Sequence, residues 1–276
     1  MEDEAAPALP EPLSAPLVDT HGHLSDPRLA PRVERLVARA RSVGVRYILD
    51  PGVDVPSSER ALAHARRFGD AVRAAVGIHP HEAAAADAAA WRRLEALASD
   101  PLCVAIGEVG LDAYRVLSPP AVQEAALERA LDLARRLGKP VLLHVRDAFD
   151  RALQLVDRAG PLTGVVHAFW GDRDIADQFL ARGFRIGAGG ALTFRREVGL
   201  RETLAGLPAG AIVLETDSPY LAPEPVRGRM NEPALVAHTA RRLAEARGVA
   251  VAELAAETTR TVSQLLEWPD LHTPTA

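Results

Sequence analysis

The sequence predicts a single (β/α)8 barrel, and three observations carry that prediction. From Pro16 onward, short apolar runs alternate with longer segments of helical periodicity, the pattern of successive βα units around a parallel sheet. There are eight such runs, with strand ends expected near His23, Pro51, His79, Glu108, His144, His167, Gly189 and Asp217. No shift in composition divides the 276 residues into halves, and barrels of about 250 residues form one unit.

Taken in order, residues 1–16 are acidic and rich in Ala and Pro, and lack the basic and apolar stretches of a signal peptide. They are expected to be a disordered tail, with the barrel over 17–268 and a flexible C-terminal tail at 269–276. Apolar spacing predicts helices at Pro31–Val43, Pro56–Phe68, Ala88–Ala98, Ala121–Leu137 and Ala148–Ala159. After the eighth run, the Pro-rich stretch Tyr220–Pro225 reads as a loop, and Glu232–Arg247 and Val251–Leu266 read as closing helices. The rival architecture is a doubly wound nucleotide-binding sheet, suggested by Ile186-Gly187-Ala188-Gly189-Gly190. Its G-x-G-x-x-G turn needs a third glycine where Leu192 stands, so the barrel is preferred.

A net charge of -5 and a pI near 6.0 argue against a protein that coats duplex DNA, since Lys and Arg supply most non-specific affinity for its backbone. An enzyme needs only a local positive field, which metal ions can supply. The lone Cys103 lies in an apolar run, packs as a small hydrophobe and fits a reducing compartment. No apolar run is long enough to span a bilayer, so the expected location is cytoplasmic, with no membrane partner and no obligate protein partner evident.

The chemistry is expected where apolar runs close on metal-competent side chains. These are Val18-Asp19-Thr20-His21-Gly22-His23, Val104-Ala105-Ile106-Gly107-Glu108, Val141-Leu142-Leu143-His144, Val165-Val166-His167 and Ile212-Val213-Leu214-Glu215-Thr216-Asp217. Polar groups at the C-terminal mouth of a barrel converge from separate strands and read as catalytic. His21 and His23, two residues apart, would point to one side of a strand. Imidazoles mixed with carboxylates suit Zn, Mn, Fe or Ni, and six ligands are too many for one open catalytic ion. A shared carboxylate would bridge two ions, which together can activate water against phosphorus.

These motifs resemble the TatD family of metal-dependent deoxyribonucleases, within the amidohydrolase-like barrels. The matching stretches are Asp19-Thr20-His21-Gly22-His23-Leu24, Val76-Gly77-Ile78-His79-Pro80-His81, Gly107-Glu108-Val109-Gly110-Leu111-Asp112, the run from Lys139 to Ala148, His167-Ala168-Phe169-Trp170-Gly171, and the run from Glu215 to Pro223. They occur in the family's order over roughly Leu17 to Leu266. The resemblance implies an inner metal on His21, His23 and Asp217, an outer metal on His144 and His167, and Glu108 bridging both. Both would be divalent ions: Mg, Mn or Zn. Asp217 would also take the proton of the attacking water, and Glu108 and Asp217 are the expected catalytic carboxylates.

Asp19 and Glu215 are read either as orienters of the ligands or as plain hydrogen-bonding groups in the barrel. Arg146 is placed to meet a phosphate or to pair with an acid on a neighbouring strand. His79 is either a substrate contact or a loop anchor. Arg227, Arg229 and Asn231 follow the eighth-strand loop as expected substrate contacts, although Met230 interrupts the family's basic run there. Trp170, where the family commonly carries a small residue, is expected to pack under a loop rather than stack on a base, as are Tyr114 and Phe194. His64, His238 and His272 are expected to have no special role. The function implied is 3′-to-5′ hydrolysis of single-stranded DNA, with RNA or tRNA as further partners; the alternative is ester hydrolysis on the same metal pair, such as removal of D-amino acids from tRNA.

Overall fold

Strands buried on both faces must be apolar throughout, because helices cover the outside of a parallel barrel and packed side chains fill its inside. The computed structural model describes residues 6–268 and shows this arrangement. Strands β1 (Leu17–Asp19), β2 (Val45–Pro51), β3 (Val72–Val76), β4 (Cys103–Asp112), β5 (Val141–Arg146), β6 (Gly164–His167), β7 (Phe184–Ala188) and β8 (Ile212–Leu214) form one parallel sheet in chain order. The sheet curls until β8 meets β1, where the Thr20 amide donates to the Leu214 carbonyl at 3.0 Å.

Around it run α1 (Val33–Ser42), α2 (Val55–Phe68), α3 (Ala88–Ala98), α4 (Pro120–Leu137), α5 (Phe149–Ala159), α6 (Arg173–Ala181), α7 (Val198–Ala205), α8 (Val236–Arg247) and α9 (Val251–Leu266). Side-chain caps fix several starts: Asp54 and Ser57 form a capping box on α2, while Asp87 and Asp172 accept from Ala90 and Ile175 at the starts of α3 and α6. Lys139, the sole lysine of the chain, donates its ammonium to the carbonyls of Ala98 and Asp100 at the end of α3.

The core is in two parts. Inside the barrel, Val18, Tyr47, Leu49, Ala75, Ala105, Leu142, Val165 and Val213 pack on Val262, Leu266 and Trp268, so α9 and the residue just beyond it stopper the floor. Trp268 is 1% exposed and meets Tyr47 edge-on at 5.3 Å. The larger cluster lies between strands and outer helices.

Several expected boundaries move. β1 stops at Asp19 and β8 at Leu214, so His21, His23, Glu215 and Asp217 stand beyond the strands, whereas β4 runs past Glu108 to Asp112. Pro233 tightens the chain into a 3-10 turn, Pro233–Leu235, and α8 begins only at Val236. Helices α6 and α7 complete the alternation between the last three strands.

The stretch from Ala6 to Pro16 is not the loose tail its composition suggests. Pro7 and Pro10 are buried, Leu13 donates to the Val43 carbonyl, and Arg39 and Arg241 donate to the carbonyls of Pro7 and Glu11. Arginines reaching from α1 and α8 supply the donors that an Ala/Pro sequence does not reveal. The expected tail at 269–276, with His272, lies outside the described residues. No helix among the described residues is long and apolar enough to cross a membrane.

Candidate metal centre

At the level of the strand ends above the apolar layer inside the barrel, β5 and β6 carry His144 and His167, β4 and β7 carry Gly107 and Gly187, and Gly77 directly follows β3. The alternation of a strand puts both layers inside. Gly187 leaves the space that the Glu215 carboxylate fills, while Gly77 and Gly107 let the backbones of neighbouring strands approach closely. A Cβ on Gly187 would stand 2.5 Å from Glu215 Oε2, and one on Gly77 would stand 2.6 Å from the Glu108 carbonyl.

Glu108 is the hub. Its Oε2 lies 3.3 Å from both His21 Nε2 and His23 Nε2, and its Oε1 lies 3.0 Å from His144 Nδ1 and 3.4 Å from both His167 Nε2 and His79 Nε2. Asp217 Oδ1 sits 3.6 Å from His23 Nε2 and 3.9 Å from His167 Nε2. His21 and His23 do converge, with Nε2 atoms 3.0 Å apart. They do so through a turn rather than through strand alternation, since His23 has φ 38°. Ala168 and Asp217 also adopt left-handed backbone, φ 44° and 57°, just past His167 and Glu215. Such conformations cost about 1–3 kcal/mol each and persist only where the surroundings enforce them.

The supporting groups differ in kind. Glu215, fully buried, lies 3.3 Å from His167 Nδ1 and accepts from the Ala168 amide. Asp19, also fully buried, accepts from the amides of His21 and Thr216 and the Thr216 hydroxyl. It ties the end of β1 to the end of β8 and touches no ring nitrogen. Asp112 and His81, given no role from sequence, are paired at 2.8 Å, and Asp112 Oδ2 lies 3.5 Å from His144 Nε2.

Burial opposes ionisation of Glu108, but the surrounding His79, His167 and His21 outweigh it and hold the carboxyl well below the usual range. Burial likewise opposes charge on His167, yet the carboxylates of Glu215, Glu108 and Asp217 push it up to about 10. Burial, only partly offset by His167 and His23, raises Asp217 to about 6, and it lowers His79 to about 4.

The donors present suit divalent cations. Three ligand groups bring their donor atoms within 4.8 Å of one another: His21, His23 and Glu108; His79, Glu108 and His144; and His21, His167 and Glu215. The ring nitrogens that approach Glu108 are Nε2 of His21, Nδ1 of His144 and Nε2 of His167, while the opposite nitrogens of these three rings, and Oε2 of Glu215, have no hydrogen-bond partner. His23, His79, Glu108, His144, His167 and Asp217 line a cleft of about 470 Å³ at the strand C-termini.

The profile of the TatD-related DNase family matches residues 18–267. The chain belongs to that family. It is 40% identical over 239 residues to the 3′-5′ ssDNA/RNA exonuclease TatD of Cronobacter sakazakii, covering 84% of this chain and 90% of that one. It is 31% identical over 253 residues to a metal-dependent hydrolase, YabD, of Bacillus subtilis, covering 90% and 98%. The crystal structure of YjjV, a TatD homologue from Escherichia coli, superposes with a TM-score of 0.86 at 29% identity, covering 91% and 98%.

Among the substrate contacts expected of a TatD-related protein, Arg146 lines the cleft, and no carboxylate pairs with it among the described residues. Its guanidinium lies 3.9 Å from the Tyr114 ring centroid. His79 lines the cleft and faces Glu108. Asn231 is fully buried, and its amide donates to the carbonyls of Thr216 and Tyr220, pinning the turn after β8. Arg227 and Arg229 are exposed on the loop but stand apart from the cleft lining, with Arg227 stacked on Phe194.

Phe194 is packed as expected, but Trp170 and Tyr114 are not: they are 48% and 63% exposed, and the indole N–H donates to Glu197. His64 contacts the buried Asp50 at 2.8 Å. Arg60, on α2, and Arg115, in the loop after β4, also line the cleft, and neither lies in a motif that the sequence reading singled out.

Proposed function

We propose that this protein is a metal-dependent exonuclease that hydrolyses phosphodiester bonds of single-stranded DNA or RNA from the 3′ end, using two divalent ions (Mg, Mn or Zn) astride Glu108. The division of the Glu108 oxygens, one facing His21 and His23 and the other facing His144, His167 and His79, is the observation that carries the reading. His21, His23 and Asp217 would hold one ion, and His144 and His167 the other. Bound there, such ions polarise a phosphoryl oxygen and acidify a water.

The remaining steps fall to the chain itself. Asp217, raised by burial to about 6, is ionised at neutral pH yet basic enough to take a proton from the attacking water. Arg146 and Arg115, at the cleft wall, supply charge for the phosphate on either side of the bond broken. Glu215 stands 3.3 Å from the second nitrogen of His167, and Asp19 holds the two loops that carry His21 and Asp217. The names of relatives at about 40% identity support the polymer and the polarity.

The test is hydrolysis of end-labelled single- and double-stranded DNA in EDTA, and then with Mg, Mn or Zn restored. A metal-restored ladder from the 3′ end of the single strand is the expected result. Absence of cleavage with every ion would sink the nuclease reading and move the search to aminoacyl esters of tRNA. Glu108→Ala should remove activity and bound metal while keeping the circular-dichroism spectrum; a variant with near-normal turnover would refute the shared bridge.

A further inference from the structure

Two exposed aromatic rings flank the cleft, and neither takes part in the steps above. Tyr220, 52% exposed, lines the cleft in the turn after β8, and the guanidinium of Arg28, from the loop after β1, lies 4.4 Å from its ring centroid. Tyr114, 63% exposed, stands in the loop after β4, with Arg146 from the end of β5 stacked upon it. Strand order follows the chain, so β4 and β5 stand half a circuit from β8 and β1. The ligand cluster lies between.

Neither ring is on a loose loop. Asp112 Oδ1 accepts from the amides of Tyr114 and Arg115, while its other oxygen meets His81 and lies near His144. The Tyr220 amide donates to the Asp217 carbonyl, and Asn231 clamps the Tyr220 carbonyl. Asp26 grips Arg28 through two contacts at 2.9 and 2.7 Å, fixing the guanidinium against Tyr220. Each tyrosine therefore hangs a few residues from a carboxylate of the central cluster, with one face backed by a cation.

We propose that Tyr114 and Tyr220, each backed by its arginine, are nucleobase-stacking platforms that hold nucleotides on opposite sides of the scissile phosphodiester of a single strand. The proposal rests on the nucleic-acid reading above. Every base has a π-face, so such platforms tolerate any sequence, and an arginine on the ring adds a cation–π contribution. Bases inside a duplex are already stacked on their neighbours and cannot reach two rings across a barrel mouth. Two rings and a few arginines also account for binding a polyanion with a net charge of -5, since little of the affinity then has to come from backbone neutralisation.

The test is the affinity of the full-length, Mn-loaded protein for a fluorescein-labelled, phosphorothioate-linked oligothymidylate and for the same chain with abasic sugars, read by anisotropy. Wild type should bind the base-bearing chain about tenfold more tightly or better. Tyr114→Ala and Tyr220→Ala should each weaken it by about tenfold and shrink the difference between the two chains, while Tyr114→Phe and Tyr220→Phe keep it. Equal affinity of wild type for both chains, or alanine variants that bind like wild type with unchanged melting curves, would overturn the proposal. Base-dependent binding without cleavage of ordinary DNA would instead sink the nuclease reading and leave the platforms standing.

Discussion

At the scale of single residues, the site is a set of charges that depend on one another. Asp217→Asn keeps an oxygen beside His23 and His167 but removes the proton acceptor; kcat should fall by about 10²- to 10⁴-fold in a single-turnover assay, with bound metal retained. Loss of metal with proportionate loss of activity would make Asp217 a ligand only. The metal-free protein should also report on His167. Its folded pKa, about 10, exceeds the ordinary 6.5, so the ion pairing it brings is fully present below about 6.5 and is lost as pH climbs towards 10. Melting temperature in EDTA should therefore fall over that interval, and Glu215→Gln should flatten the fall. Asp19, raised by burial to about 7, contributes with the same sign.

At the scale of elements, the strand ends determine what reaches the site, and they were only partly readable. The apolar-to-polar junctions of β5 and β6 are visible because His144 and His167 are still in extended chain, where alternation holds. For β1 and β8 the same reading placed His21, His23 and Asp217 on strands, although the pairing had already stopped at Asp19 and Leu214. Left-handed turns at His23 and Asp217, which no periodicity encodes, bring these side chains together. The place of Asn231 was unreadable for a related reason: its motif announces importance, and only the hydrogen bonds show that it pins the Tyr220 turn. The glycine of β7, Gly187, carries an element-level prediction. Gly187→Ala would press a methyl on the Glu215 carboxylate, so it should cost about 1–3 kcal/mol in urea unfolding and weaken metal binding. A variant with unchanged metal affinity would show that Glu215 has room to move.

For the whole molecule, barrel class and family followed from the eight alternating units and from motif order, both of which survive small boundary errors. What the sequence could not show is how the ends of the chain are used. The stretch from Ala6 to Pro16 is bonded down by Arg39 and Arg241, and Trp268, which lies in none of the motifs, completes the interior. Trp268→Ala should cost about 3–5 kcal/mol, seen as a lowered melting temperature, because it removes the largest side chain from the barrel floor. A shift of less than a degree would mean that α9 closes the floor unaided. That closed floor has a kinetic consequence. A strand end that enters the mouth has no exit below, so each released nucleotide must leave past the remaining strand, and digestion should proceed distributively, the enzyme changing strands between cuts.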